Sequence, residues 1–460
     1  MGRLFGTDGV RGVANRELSP GLAFRLGRAG AAVLVSRSGK TRARVAIGKD
    51  TRVSGEMLEA AMIAGVTSVG ADVVQLGIVP TGAVAYLTRE LQVDAGVMIS
   101  ASHNPVEDNG IKFFSRDGFK LPDEVEDRIE ALVGCDGSIS ALEDGLPAPV
   151  GGAIGRGRRE ERAIDLYLDF LVQTFREESD DLRGIKVVVD CANGAAYDVG
   201  PRALLRLGAE LIPIETEHDG MRINVDCGST HPEVVARAVV DHQADVGLAL
   251  DGDADRCIAV DERGGIVDGD KMLAICGLHM LGMGALPENA VAATVYSNLG
   301  LKMALEEAGG KLLITKPGDR YVLEEMVTRG LGLGGEQSGH IIFLRHNTTG
   351  DGLLTGLKLL AIIKAKSEPL SGLARCMQTL PQTIVNVRVS DKGAVESSDR
   401  VAAAIEEAAL FLGRHGRLLV RPSGTEPVVR VMAEGLHQEE VRKAAEHVAR
   451  VIGEGFGSAG

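Results

Sequence analysis

Short apolar runs that stop abruptly at hydroxyl, acidic or glycine residues recur along this chain. Arg44-Val45-Ala46-Ile47-Gly48 stops at Lys49-Asp50-Thr51-Arg52, Ala95-Gly96-Val97-Met98-Ile99 at Ser100, Val187-Val188-Val189 at Asp190, and Val246 to Leu250 at Asp251. Runs of this length bounded by polar residues predict buried strands. Glu56 to Gly70 and Thr81 to Glu90 predict helices and Ala71 to Leu76 a further strand, so residues 1 to about 150 alternate β-α-β-α-β, the signature of a largely parallel, helix-covered sheet. The Gly- and Pro-rich stretch Gly145 to Gly157 then predicts a linker.

The cycle repeats. A helix is predicted over Arg158 to Glu177, with strands at Ile185 to Asp190, Ala209 to Ile214 and Val246 to Leu250, and a third round places strands at Val291 to Tyr296, Lys311 to Thr315 and Leu331 to Gly334. Three cycles of similar size, each with a polar loop after a strand, predict a repeated α/β unit. After Pro369 the pattern changes to an alternating strand at Thr383 to Val389, a helix at Ser398 to Leu412, strands at Arg417 to Arg421 and Val428 to Ala433, and a final helix. The fold class is therefore α/β: three related α/β domains with mostly parallel, mixed sheets and a smaller C-terminal α+β domain, divided as 1–152, 153–254, 255–368 and 369–460.

Composition narrows the partners. A chain of 460 residues exceeds what one core supports, since single cores stop growing near ~250 to 300 residues. A net charge of -14 disfavours nucleic acid but allows a local basic pocket for a phosphorylated small molecule. The cysteines Cys135, Cys191, Cys227, Cys257, Cys276 and Cys376 include no Cys-x-x-Cys pair, which fits reduced thiols better than disulfides or a zinc site. No apolar signal region opens the chain, and its longest apolar run, Met272 to Leu286, is interrupted by His279 and too short for a bilayer. The expectation is a cytoplasmic protein with no membrane and no nucleic-acid partner.

Chemistry concentrates in four loops. Ser100 and Ser102 follow a strand end, where ligands collect in open α/β sheets; His103 is a proton carrier beside them, and Lys112, after an expected Asn109-Gly110 turn, brings a cation back toward the serine. Asp251, Asp253 and Asp255, at alternate positions directly after a strand, would repel one another unless a cation sits among them, and all-oxygen ligation favours magnesium or calcium. A calcium EF-hand loop competes, with Glu262 at its twelfth position, but Arg256 stands where that loop needs Gly and strands flank it. Gly334-Gly335-Glu336-Gln337-Ser338-Gly339-His340 lets backbone approach a ligand and offers Glu336 and Ser338 to vicinal hydroxyls. Arg421-Pro422-Ser423-Gly424-Thr425 forms an anion nest of guanidinium, hydroxyls and a glycine amide, which Arg430 extends. Taken alone, the first, third and fourth of these loops also read as ordinary polar turns.

Ser100-Ala101-Ser102-His103-Asn104-Pro105 resembles the phosphoserine loop of the α-D-phosphohexomutase superfamily, and the other three loops resemble that superfamily's, in its order, over essentially the whole chain. The resemblance implies four domains around a central cleft, with Ser102 the phosphoserine and Asp251, Asp253, Asp255 and the Ser102 phosphate the Mg²⁺ ligands. It implies that Glu336, Ser338 and His340 bind sugar, and that Arg421, Ser423, Gly424 and Thr425 bind phosphate. Phe5 to Gly12, the Glu336-Gln337-Ser338 form and Gly318-Asp319-Arg320-Tyr321 resemble the phosphoglucosamine mutases within it, with Arg11 a candidate partner of the phosphoserine. Phosphomannomutase/phosphoglucomutase members carry histidine where Asp319 stands, so no catalytic role carries over there.

The implied activity interconverts glucosamine 6-phosphate and glucosamine 1-phosphate through a 1,6-bisphosphate, which also serves as activator, and feeds UDP-N-acetylglucosamine synthesis. Lys112, Arg11 and Arg256 complete the charge clamp, and His103, Lys112 and His340 are the acid/base candidates. The partner is a small hexosamine phosphate; a homodimer stays open. Alternatives are a phosphomannomutase/phosphoglucomutase, a metal-dependent phosphatase using Ser102, and a noncatalytic sugar-phosphate sensor.

Overall fold

Five-residue strands with no exposed position mark a sheet covered on both faces. Ala95–Ile99, Val246–Leu250 and Ala290–Thr294 are such strands, buried along their whole length. The computed structural model describes residues 3–6, 8–38, 42–133, 146–422 and 427–457. The chain divides into two compact units, Met1–Tyr296 with Gly310–Cys376, and Ser297–Gly309 with Met377–Gly460.

Three sheets build the larger unit. The first holds β1 (Val10–Val13), β2 (Arg44–Lys49), β3 (Asp72–Ile78), β4 (Ala95–Ile99), β5 (Asp108–Ser115) and β6 (Gly157–Arg159), in the order β1-β5-β4-β2-β3-β6. The second holds β7 (Lys186–Asp190), β8 (Glu210–Ile214), β9 (Val246–Leu250), β10 (Cys257–Asp261) and β11 (Ile266–Val267), in the order β11-β10-β9-β7-β8. The third holds β12 (Ala290–Thr294), β13 (Lys311–Thr315), β14 (Leu333–Gly335) and β15 (Ile341–Phe343), in the order β13-β12-β14-β15.

One plan underlies all three. In each, a central strand pairs in parallel with a strand on either side, and the third of these parallel strands turns back into an antiparallel partner: β4 into β5, β9 into β10, β14 into β15. The chain leaves the central strand the same way each time, with a side-chain oxygen accepting the backbone N–H two residues on: Asp50 from Arg52 (2.9 Å), Asp190 from Ala192 (2.7 Å) and Thr294 from Tyr296 (3.3 Å). The serine loop, the aspartate loop and the Glu336 loop occupy the same connection of the repeated unit.

The smaller unit carries β16 (Gln382–Arg388), β17 (Arg417–Pro422) and β18 (Val428–Glu434), antiparallel in the order β16-β18-β17, and packs helices Asp399–Leu412 and Gln438–Phe456 around a core of Val429, Val431, Val448 and Ile452. Ser297–Gly309, with its helix Leu299–Glu307, belongs to it as well: Leu299 N–H donates to Glu434 Oε1 (2.8 Å) and Asn298 Nδ2 to the Leu380 carbonyl (3.0 Å).

Several boundaries differ from expectation. β10 and β11 close the second sheet beyond residue 254, because β9 would otherwise expose an edge. The stretch expected to be helical from Arg158 begins as β6, which pairs with β3 beyond residue 152, and the helix starts at Ala163. Asn109-Gly110 is no turn; both lie inside β5, between β1 and β4, with Asn109 Nδ2 donating to Ser54 Oγ (2.9 Å). Glycine at 110 reflects a close approach, since a Cβ there would lie 2.4 Å from the Ser100 carbonyl oxygen and 3.1 Å from Arg11 Cγ. Gly110→Ala is expected to cost ~1 to 3 kcal/mol of stability through overpacking, read by denaturant unfolding; an unshifted midpoint would show that the strands part freely there.

The five described cysteines are free thiols, all but Cys376 buried, while Cys135 lies outside the described residues. No helix among the described residues is long and apolar enough to cross a membrane.

Candidate active site

Ser102 sits two residues past the serine that ends the apolar run of β4, in the left-handed region at φ 53°. A non-glycine residue there costs ~1 to 3 kcal/mol and persists where its surroundings over-determine it. Here Ser102 N–H donates to Ser100 Oγ (2.9 Å), which in turn donates to the buried Asp50 Oδ2 (2.5 Å). Ser100 is thus a support for the loop. The Ser102 hydroxyl donates to Asp251 Oδ2 at 2.5 Å and lies 3.3 Å from His103 Nδ1. Burial, then the charges of Arg256 and Arg11, push the His103 pKa down to about 4, so the ring beside the hydroxyl is neutral at pH 7.

Asp251, Asp253 and Asp255 occupy the β9–β10 hairpin, where one oxygen from each lies within 4.8 Å of the others. Antiparallel strands on both sides exclude the EF-hand alternative, and Glu262 binds Ser371 instead. Burial and the neighbouring Asp255 and Asp253 carboxylates push the Asp251 carboxyl well above its usual range. Asp253 Oδ1 and Asp255 Oδ1 are buried without a hydrogen-bond partner. Oxygen donors so arranged fit a hard divalent cation.

Cations interleave with these acids. Lys112 Nζ lies 2.8 Å from Asp253, 3.0 Å from Asp8 and 3.7 Å from Asp255. Burial alone would depress its pKa, but these three carboxylates raise it well above the ordinary lysine value, so Lys112 is a fixed charge. Asp8 also takes Arg11 and, at 2.5 Å, Lys120, whose ammonium reaches Asp319 as well. Burial notwithstanding, those cations hold the Asp8 carboxyl well below its usual range.

In the third loop, Glu336 Oε1 accepts the Gly318 N–H (3.2 Å) and Ser338 Oγ is buried with no hydrogen-bond partner. Gln337 turns away, its amide 3.3 Å from Asp268 Oδ2. His340 is buried, with Nδ1 3.5 Å from Asp255 and Nε2 both 3.4 Å from Asp319 and accepting the Gly350 N–H (3.1 Å). A cleft of about 380 Å³ opens over these groups, lined by Asp8, Arg11, Arg256, Asp319, Glu336 and His340. Two guanidiniums for a phosphate, together with carboxylates and a glycine-rich backbone for hydroxyls, suit a sugar phosphate.

The structure therefore brings together Ser102, His103, Lys112, Arg11, the three aspartates, Glu336 and His340 in the larger unit, with Ser338 between Glu336 and His340 in the sequence of the third loop. Arg11 reaches the group through Asp8. In the smaller unit Arg421 faces Arg430 across the β17–β18 ladder, and Ser423, Gly424 and Thr425 lie outside the described residues. Sequence reasoning assigned nothing to Asp8, Lys120, Asp50 or Thr81, whose hydroxyl donates to Asp253 Oδ2 at 2.7 Å. Asp8 stood inside the Phe5 to Gly12 motif, and Asp50 in the polar stop after β2; Thr81 carried no signal.

Comparison with known proteins divides the chain into four domains. Models of the phosphoglucomutase/phosphomannomutase alpha/beta/alpha domains I, II and III match residues 2–136, 165–265 and 268–380, and the model of the C-terminal domain matches 384–451. A curated phosphoglucosamine mutase of Heliobacterium modesticaldum is 56% identical over 463 residues, covering 98% of this chain and 99% of the relative. One from Pelotomaculum thermopropionicum is 56% identical, covering 99% and 100%. A phosphoglucomutase/phosphomannomutase family protein from Burkholderia thailandensis superposes with a TM-score of 0.81 at 25% identity over 98% of this chain and 97% of that one. With four domain models in order and relatives matched end to end, this chain belongs to the phosphoglucomutase/phosphomannomutase family, the α-D-phosphohexomutases.

Proposed function

We propose that this isomerase interconverts glucosamine 6-phosphate and glucosamine 1-phosphate, on Ser102 as phosphoryl carrier. The observation that carries the reading is the Ser102 hydroxyl, 2.5 Å from a carboxylate of the acidic triad and only 1% exposed. A phosphoryl group parked at that position is shielded from water, which favours transfer to a bound sugar over phosphatase chemistry. The amino sugar is supported by relatives, named phosphoglucosamine mutases, that are 56% identical over nearly the whole chain.

In this mechanism the phosphoserine Oγ–P bond breaks as the sugar's free hydroxyl bonds phosphorus, giving a 1,6-bisphosphate. That intermediate turns over and returns its other phosphate to Ser102. The hydroxyl proton needs an acceptor. Of the three candidates, His103 is neutral and lies 3.3 Å from Ser102 Oγ, the oxygen from which the phosphoryl group departs, while Lys112 is engaged by three carboxylates and His340 by Asp255 and Asp319. Magnesium held by Asp251, Asp253, Asp255 and a phosphoserine oxygen would neutralise charge on the transferring group. Lys112, Arg11 and Arg256 add fixed positive charge, and Glu336 and Ser338 receive sugar hydroxyls. A hexosamine 1,6-bisphosphate serves as activator by phosphorylating Ser102 afresh.

A coupled assay with glucosamine 6-phosphate and catalytic 1,6-bisphosphate tests the reading, run beside glucose and mannose phosphates. A higher kcat/KM for either of the latter would move the assignment to a phosphomannomutase/phosphoglucomutase. Arg421, Ser423, Gly424, Thr425 and Arg430 are assigned to the nonreacting phosphate. Arg421→Ala is expected to cost ~1.5 to 3 kcal/mol, about tenfold to a hundredfold in kcat/KM, in both directions, because each isomer offers that phosphate to the same nest. Loss in one direction alone would show that the nest is not shared.

A further inference from the structure

We propose that Asn224, from the second α/β domain, is a positioning residue for phosphoryl transfer: with Arg52 it fixes the Ser102 main chain and so aims the Ser102 hydroxyl at the acidic triad. The inference deepens the mutase reading and rests on it. Its basis is a pair of carbonyls. The Ser102 carbonyl accepts from Arg52 Nη2 (2.9 Å) and from Asn224 Nδ2 (2.8 Å), and the Asn104 carbonyl accepts from the same two groups at 2.8 and 3.3 Å. Two donors from different domains thus staple the same two points of the loop.

Each donor is itself held. Arg52 is buried on the fully buried Asp50 (3.0 Å) and also donates to the Asp108 carbonyl (3.0 Å). Asn224 sits in the left-handed region at φ 60°, a conformation that Asn tolerates better than most residues, and its N–H donates to the Ala192 carbonyl (3.0 Å). The acidic loop presses on the staple: a Cβ at Gly252, between Asp251 and Asp253, would lie 2.7 Å from the Ser102 carbonyl oxygen and 2.8 Å from Asn224 Nδ2. Nearby, Thr51 Oγ1 donates to the Asn193 carbonyl (2.6 Å), a second tie between the same two domains.

The consequence is geometric. In-line transfer depends on where Oγ stands, and a displacement of about 1 Å in such a reaction costs on the order of a hundredfold. Ser102 would leave its strained backbone conformation readily if one staple were lost, because that conformation persists only while its surroundings impose it. Arg52 is a poor probe, since removing it strands Asp50 as a buried unpaired charge. Asn224 is half-buried, and its loss leaves the Arg52 bonds in place.

The test compares Asn224→Ala and Asn224→Asp with the wild type. It measures kcat and KM in the coupled assay, the single-turnover rate of Ser102 phosphorylation by glucose 1,6-bisphosphate read by intact mass, and thermal unfolding. Asn224→Asp preserves shape but removes the donor and faces two carbonyls with an acceptor, so it should be at least as damaging as Asn224→Ala. Both should lose roughly tenfold to a hundredfold in kcat and in phosphorylation rate, with KM within about twofold and unfolding midpoints nearly unchanged. Wild-type kcat in either variant, a loss confined to KM, or a loss that tracks the unfolding midpoint would overturn the inference. A wild type that prefers glucose or mannose phosphate overturns the glucosamine reading alone, and the Asn224 comparison is then scored on that sugar. A wild type that never carries phosphate at Ser102 overturns both.

Discussion

Ser102→Ala is expected to reduce mutase turnover to background, by roughly four orders of magnitude or more, while the protein folds and still binds sugar phosphate. The deleted oxygen is the atom proposed to carry the phosphoryl group, and among the described residues the hydroxyls of Ser100 and Thr81 are already engaged by Asp50 and Asp253. Ser100 is the obvious candidate, two residues away, but its hydroxyl is spent on Asp50 and on the Ser102 N–H. Folding should survive because the change removes one atom, and serine already bears the left-handed conformation at 102. Binding should survive because Glu336 and Ser338, proposed above to receive the sugar's hydroxyls, are untouched. Ser100→Ala is the informative companion. It leaves the buried Asp50 carboxylate and the Ser102 N–H short of a partner, which should cost ~1 to 3 kcal/mol of stability and some turnover, yet the protein should still become phosphorylated. Intact mass and turnover measured on both variants decide the matter. A phosphoryl group at this loop in an active Ser102→Ala protein would show that the carrier is another residue.

The parts legible from the sequence share a physical cause. Ser102, Asp251 and Glu336 lie at or just beyond the end of an apolar strand, so the pattern that predicts the strand also marks the loop, and the repeated α/β unit presents all three loops alike. What escaped lies in contacts between distant parts of the chain. Asp8 gathers Arg11, Lys112 and Lys120, but nothing in the Phe5 to Gly12 motif says that two lysines more than a hundred residues away will converge on it. Asn224 reaches Ser102 across 122 residues, from a loop with no strand-end signature.

Two misreadings came from local signals that tertiary context overrode. Asn-Gly is a strong turn signal, yet at 109–110 it lies inside β5, where the glycine admits the Ser100 carbonyl and the asparagine amide finds Ser54. A division after residue 254 treats the acidic loop as a domain end, whereas it is a hairpin whose return strand, β10, completes the sheet.

Asp253→Asn tests the cation site most sharply, because its two oxygens have separate duties. Oδ2 accepts from Lys112 (2.8 Å) and Thr81 (2.7 Å), while Oδ1 is buried with no hydrogen-bond partner. Asparagine will keep its carbonyl toward Lys112 and Thr81, since both are donors. Its NH₂ then replaces Oδ1 and points hydrogens at the place a cation would take. The expected loss of metal affinity is ~3 kcal/mol or more, over a hundredfold in Kd, because a ligand charge disappears and a repulsive dipole replaces it. Turnover at physiological Mg²⁺ should fall in parallel and recover partly at high Mg²⁺. Metal-free stability should change little: removing one carboxylate relieves Asp251 and Asp255 while weakening the hold on Lys112, and these act in opposite directions. Calorimetric titration with Mg²⁺ and turnover across a Mg²⁺ series read both quantities. Wild-type affinity together with wild-type turnover at limiting Mg²⁺ would remove Asp253 from the ligand set and leave its carboxylate as a partner for Lys112 alone.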